Sequence, residues 1–220
     1  MAGGDYPKFT VFDAVCWKLL PTKWGCGDEY LWSFKYSWIR HNKDNIKEAA
    51  ASNHIPALLL AGVALVEVGG KDFTDWPVFN IRSFDWSGPA WVDRHLTITK
   101  NPGYTSMGAV SIQLRRAAET MGLDSSRLTQ QQLNTLAIAL QSDRTNLFIV
   151  AKHLHQLVLI DNPQIINPML LSDEQIRLAG TRYWYGPDAS HKLIVEKAAA
   201  AGSYGSNIVR NKSVIENLLK

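Results

Sequence analysis

Cysteine is scarce in this chain, with two among 220 residues. That scarcity excludes a small disulfide-stapled scaffold, and no Cys or His spacing suited to a zinc ion occurs. The two, Cys16 and Cys26, lie close together near the start, with Gly25 and Gly27 flanking the second. They would pair in an oxidising compartment, and two free thiols would read the same. Charge of one sign is lacking too. A formal net charge of +3, with the basic residues scattered, gives no electrostatic footprint for nucleic acid, although a mildly basic surface suits an anionic polymer. No apolar run reaches the roughly 20 residues that a membrane crossing needs, so membrane insertion is not expected. The first residues, Met1-Ala-Gly-Gly-Asp-Tyr-Pro-Lys8, have no basic start, apolar middle and small-residue cleavage site of an export signal. A protein acting outside its producer would then need another route. No repeat of fixed period and no low-complexity tract is present.

What the chain does have is a long apolar stretch that ends on one acid. From Ile55 to Val68 the only ionisable residue is Glu67. Pro56 suits the first turn of a helix, Gly69 and Gly70 suit its end, and the residues between are apolar all round, which describes a buried helix. A carboxyl in its last turn is expected to meet partial desolvation and the negative end of the helix dipole, both of which disfavour the carboxylate. A carboxyl held protonated near neutral pH is what a general acid requires. The alternative is a Glu that reaches water just past the buried turns.

Along the rest of the chain, residues 1–42 are aromatic-rich, with Trp17, Trp24, Trp32 and Trp38, and the pattern predicts helices near 10–20 and 28–40. Asn42 is expected to cap a helix through Ile46 and Ala50, and Asn53 or His54 to restart the chain into the Glu67 helix. Lys71 to Tyr104, broken by Pro77, Pro89 and Pro102 and rich in aromatics such as Trp76 and Trp91, reads as loops with one small hairpin, with strand-like pieces at Val78 to Ile81 and Leu96 to Ile98. Helices follow over Ser111 to Met121, Thr145 to Ile160, and near 190–201 and 212–219, the last two divided by Gly202 and Gly205. Thr129 with Gln132, and Ser172 with Gln175, form capping boxes that open two more. His153 and His155 lie two apart on a helix and face different sides, which argues against a shared metal.

Four pieces of this chain, in this order, resemble the lysozyme-like fold of soluble lytic transglycosylases and goose-type lysozymes. Ile46-Lys-Glu-Ala-Ala50 followed by Ile55 to Gly70 is similar to the family's helix, turn and buried helix closing on a catalytic Glu, where the family usually has Ser next and this chain has Val68. Thr105-Ser-Met-Gly-Ala-Val-Ser-Ile-Gln113 resembles the Ser- and Gly-rich turn ending in a Gln that starts the next helix, at a less common Gly-to-Gln spacing. Asp143 to Leu154 looks like the Asn-Ile helix, with Leu147 after Asn146. Ala179-Gly-Thr-Arg-Tyr183-Trp-Tyr-Gly186 is similar to the Ala-x-x-x-Tyr-Asn-x-Gly segment whose Tyr faces the catalytic Glu, with Trp184 replacing Asn. The likeness spans residues 43–188.

The resemblance implies a mainly α, lysozyme-like helical domain, expected to run over residues 43–220, with a small irregular or β-hairpin insertion after the catalytic helix; residues 1–42, outside the likeness, are expected to pack on that core as an aromatic-rich arm. It implies an enzyme, a muramidase or lytic transglycosylase, that cleaves the MurNAc-β-1,4-GlcNAc bond of peptidoglycan with Glu67 as general acid and then base. Ser106, Gln113, Tyr183 and Tyr185 would border the substrate, and neither a cofactor nor a metal is called for. A hydrolase would add a second carboxylate, for which Asp72, Asp75 and Asp85 are candidates, whereas a transglycosylase would close an anhydro ring on the muramoyl 6-hydroxyl. The implied setting is the periplasm or cell wall, most simply of a target cell attacked by a bacteriolytic effector such as one delivered by a type VI system, with an immunity protein as partner in the producer. A phage endolysin, a chitin-active relative, and a module that grips glycan without cutting, which the departures at Val68 and Trp184 keep open, are the competing readings.

Overall fold

Helical periodicity governs most of this chain, and the structure follows it. The computed structural model describes residues 4–70, 72–88 and 97–220, which carry twelve α-helices and one two-stranded sheet. The first four helices are α1 (Val11–Leu19), α2 (Asp28–His41), α3 (Lys43–Ser52) and α4 (Ala57–Glu67). Then come α5 (Asp72–Asp85), the strands β1 (Ser106–Met107) and β2 (Ile112–Gln113), α6 (Leu114–Thr120), α7 (Gln130–Ala139) and α8 (Asp143–Asp161). The chain closes with α9 (Asp173–Tyr185), α10 (His191–Ala198), α11 (Tyr204–Arg210) and α12 (Lys212–Leu218). Among the described residues, no helix is long and apolar enough to cross a membrane.

The apolar helix α4 is the central post. Every residue from Leu59 to Leu65 is buried, and α2, α3, α8, α9, α11 and α12 all pack against it. A helix apolar on every side can be stable only where neighbours surround it. The longest neighbour, α8, contributes Leu147, Val150, Leu154, Leu157 and Val158 to the same core. At the crossing of α9 and α11 the backbones nearly touch: a Cβ on Gly205 would lie 1.9 Å from the Arg177 carbonyl oxygen. Gly205 therefore sits inside α11 as a packing residue and does not divide two helices as expected.

Residues 4–42 are tied to this core. Asp143, at the start of α8 and buried, accepts hydrogen bonds from the Tyr6 amide at 2.9 Å and the Asn42 side-chain amide at 3.1 Å. Lys8 reaches the Gln141 carbonyl at 2.7 Å, and Phe9, wholly buried, meets Phe34 edge-on at 5.0 Å. Cys16 and Cys26 form a disulfide that ties the last turns of α1 to the entry of α2. Asn42 thus does not cap α3 with its side chain, which is drawn instead to the buried Asp143 carboxylate.

Several boundaries differ from the sequence reading. The stretch expected to be irregular opens with α5, fourteen residues long with Pro77 inside it. Phe79 is buried and meets Trp76 edge-on at 5.8 Å, while Ile81 is exposed. The apparent alternation at Val78 to Ile81 is thus a helix's inner and outer faces, and packing of Phe79 outweighs the hydrogen bond that Pro77 forgoes. Trp91 and Leu96 lie outside the described residues. The small hairpin occurs later, pairing Ser106 with Gln113 and Met107 with Ile112, so α6 begins at Leu114 instead of Ser111. The chain enters α4 at Pro56, not at Asn53 or His54. Both expected capping boxes are present, Thr129 with Gln132 and Ser172 with Gln175.

Candidate active site

Glu67 is the last residue of α4 and is half-buried. It lines a cleft of about 390 Å³ together with Asp75 from α5, Ser106, Ser111, Ile112 and Gln113 from the hairpin, Arg115 and Arg116 from α6, His153 from α8, and Tyr183, Trp184, Tyr185 and Gly186 at the end of α9. All five residues singled out in the sequence, Glu67, Ser106, Gln113, Tyr183 and Tyr185, therefore meet around one opening.

The end of α4 is held on three sides. Val68 is fully buried, and the following Gly69–Gly70 turn lies against Leu31 and Trp17 from the amino-terminal segment. The ammonium of Lys35, itself buried, donates to the carbonyls of Leu65 at 2.9 Å and Val66 at 2.8 Å. A cation on those carbonyls opposes the negative end of the helix dipole, so one of the two effects expected to act on Glu67 is countered by a residue the sequence did not flag. From the third side comes Tyr204, the first residue of α11, whose hydroxyl hydrogen-bonds to the Glu67 side chain and lies 3.4 Å from the Val63 carbonyl. Burial first, then the Glu67 charge, pushes the Tyr204 hydroxyl well above its ordinary range, so it stays a donor across the physiological range. Tyr183 stands beside it, ring centroids 6.0 Å apart. Its hydroxyl donates to the Ser111 carbonyl at 2.8 Å and is likewise raised, by burial and then by the Glu67 charge.

The opposite wall is the hairpin, clamped to α8 by one side chain. Asn146, buried, accepts from the Val110 amide at 2.8 Å and donates to the Val110 carbonyl at 3.1 Å. Gly108 makes that seat possible: its φ is +86°, and a Cβ there would lie 2.4 Å from the Asn146 amide nitrogen. The clamp holds Ser106 and Gln113 as cross-strand partners at the cleft edge, and Arg115 donates to the Gln113 side-chain oxygen at 2.9 Å. Behind the cleft, the ring of His153 lies 3.0 Å from the Thr120 hydroxyl. Burial, and secondarily the Arg116 charge, lowers its pKa to about 4, which keeps it neutral.

Of the candidate second carboxylates, Asp75 is among the cleft-lining residues. Asp85 accepts from the Ile98 and Thr99 amides and the Thr99 hydroxyl, a loop-holding role, and the Asp72 side chain lies outside the described residues. Among the described residues no group of three or more His, Cys, Asp or Glu could hold a metal ion. Tyr204 and Lys35 escaped the sequence reading, since each reaches Glu67 or its helix end from a segment outside the likeness.

Comparison with protein-family models, curated proteins and solved structures gave no match. What the site does must be read from its own atoms. A half-buried carboxyl with a tyrosine donor, a second carboxylate in the same opening, amide and hydroxyl groups along one wall and aromatic faces along the other can bind a polyol and move a proton onto it.

Proposed function

We propose that the protein is a glycosidase of the lysozyme type that cleaves peptidoglycan glycan strands on a lysozyme-like helical scaffold. The observation that carries this reading is the convergence on one cleft of Glu67, Ser106, Gln113, Tyr183 and Tyr185, which come from three separated stretches of the chain. Glu67 protonates the glycosidic oxygen as the bond to the leaving sugar breaks, and the carboxylate left behind faces the cationic, oxocarbenium-like centre. Tyr204 donates to that carboxylate. Gln113 and Ser106 border the sugar ring on the hairpin side, and Tyr183 and Tyr185 do so from α9. Asp75 in the same opening favours hydrolysis, because a second carboxylate can orient a water against the anomeric carbon. The Cys16–Cys26 disulfide supports work in an oxidising compartment, in keeping with a bacteriolytic effector acting in a target cell's periplasm or wall and restrained in its producer by an immunity protein.

The test is digestion of purified sacculi by the wild type and by Glu67→Gln, which keeps shape and hydrogen bonding but removes the transferable proton. Soluble fragments should appear only with the wild type. Mass spectrometry then separates the two chemistries, since a hydrolase leaves a reducing end and a transglycosylase an anhydro end lighter by one water. Full clearing by Glu67→Gln would end the proposal.

A further inference from the structure

Trp184 is left without a task by this chemistry. It stands where the resemblance would have an Asn, and it is 62% exposed, although an indole carries a large apolar surface that folding ordinarily hides. Its ring lies beside Tyr204, centroids 6.0 Å apart and planes tilted by 30°. Tyr185, next in the chain, is 44% exposed.

Two clefts meet at this pair. One is the Glu67 cleft. The other, also of about 390 Å³, opens on the side of α10 and α11 and is lined by Val66, Lys197, Ser203, Tyr204 and Asn207 together with the same Trp184 and Tyr185. Its walls combine aromatic faces with polar groups. Among the described residues the one cation lining it, Lys197, contacts the Glu196 carboxylate at 3.1 Å, so the charges nearly balance and an anion gains little. The Ser203 hydroxyl is bound up in capping α11. What such a surface suits is an uncharged molecule with an apolar face to lie on an indole and hydroxyls around its edge. A pyranose ring has both.

We propose that Trp184 is a stacking platform at the junction and that the second cleft is a further saccharide subsite, holding an uncharged sugar unit of the strand whose cleavage occurs at Glu67. The proposal rests on the glycan-cleaving reading of the first cleft and extends it onto helices outside the likeness. A strand long enough to pass Trp184 is gripped in both clefts, and a short one in the first alone.

The experiment is calorimetric titration of the full chain, made inactive by Glu67→Gln, with N-acetylglucosamine disaccharide and hexasaccharide. The hexasaccharide should bind more tightly. Adding Trp184→Ala should weaken its binding by about tenfold and abolish most of the advantage over the disaccharide, and Trp184→Phe should restore part of it. Asn207→Leu, which touches the second cleft alone, should also weaken hexasaccharide binding while leaving the disaccharide unaffected. Unaltered melting temperatures would show that the variants fold. Hexasaccharide binding that neither variant moves would overturn the subsite and leave the first cleft's role standing. Sensitivity to Trp184→Ala without sensitivity to Asn207→Leu would also overturn it, by confining the indole's role to the Glu67 cleft. No binding of either oligosaccharide by the Glu67→Gln protein would also overturn the subsite, while digestion of sacculi decides the first cleft's role.

Discussion

His153 should make this protein lose stability in mild acid, and the size of the loss follows from its surroundings. The ring is buried beside Thr120 and Tyr183, and that burial, with the Arg116 charge second, lowers its pKa from 6.5 to about 4; Glu119, on the same helix as Arg116, and the Gln156 side chain pull the other way but less strongly. Below pH 6.5 the unfolded chain takes up a proton here that the folded protein refuses until about pH 4, so protons favour unfolding throughout that window. Each pH unit is worth about 1.4 kcal/mol, which sums to about 3 kcal/mol across it. The assay is urea unfolding at intervals from about pH 7 to pH 4.5, for the wild type and for His153→Gln, whose amide can still meet the Thr120 hydroxyl. The wild type should lose about 2 kcal/mol more than the variant between pH 6.5 and pH 5. The lowered carboxylates, such as Glu119 and Asp188, act at lower pH and cancel in the difference. Identical pH slopes for the two proteins would refute the reasoning.

Gly108→Ala forces a side chain into a positive-φ turn and against Asn146. It should destabilise by at least about 2 kcal/mol and, under the proposed function, reduce clearing of sacculi by misplacing Ser106 and Gln113, so an unchanged melting temperature would count against the clamp. Asp161→Asn leaves the fully buried Arg182, now held by two carboxylate contacts of 2.5 and 2.6 Å, without its counter-charge, and should lower unfolding free energy by about 3–5 kcal/mol in urea titrations. Reducing the Cys16–Cys26 bond removes the tether of α1, none of whose residues is buried. For so short a loop the tether is worth about 3 kcal/mol, so amide exchange over residues 11–27 should quicken by about a hundredfold while the core amides of α4 and α8 keep their protection. Equal acceleration everywhere would mean that the arm and core unfold as one.

The helices were readable because their signals are local. Capping boxes at Thr129 and Ser172 and the apolar run into Glu67 need no knowledge of the partner surface. α5 was hidden because Pro77 and its neighbours speak for a loop, and only the tertiary burial of Phe79 reveals which face turns inward. The hairpin was hidden for the opposite reason. Its strands are two residues each, too short for any alternation to register, and their position depends on Asn146 reaching over from α8. Among site residues, Glu67, Ser106, Gln113, Tyr183 and Tyr185, all within the four matched pieces, line one cleft. The resemblance does not reach Tyr204, and Lys35 reads in sequence as an ordinary surface cation on an aromatic helix.

These two residues bear on how Glu67 is held. A carboxyl at the end of an apolar helix is commonly argued to owe its character to that helix alone, through burial and dipole. Here the dipole's negative end is met by Lys35 from α2, and the carboxyl itself is met by Tyr204 from α11. Both contacts come from α2 and α11, segments that lie on either side of the matched stretch. Since Gly205 allows α11 to approach α9, the same close crossing that seals the core also delivers the Tyr204 hydroxyl to Glu67. A larger residue at that crossing would disturb the fold and the Tyr204–Glu67 contact together, whereas Tyr204→Phe removes that contact alone by deleting a single oxygen.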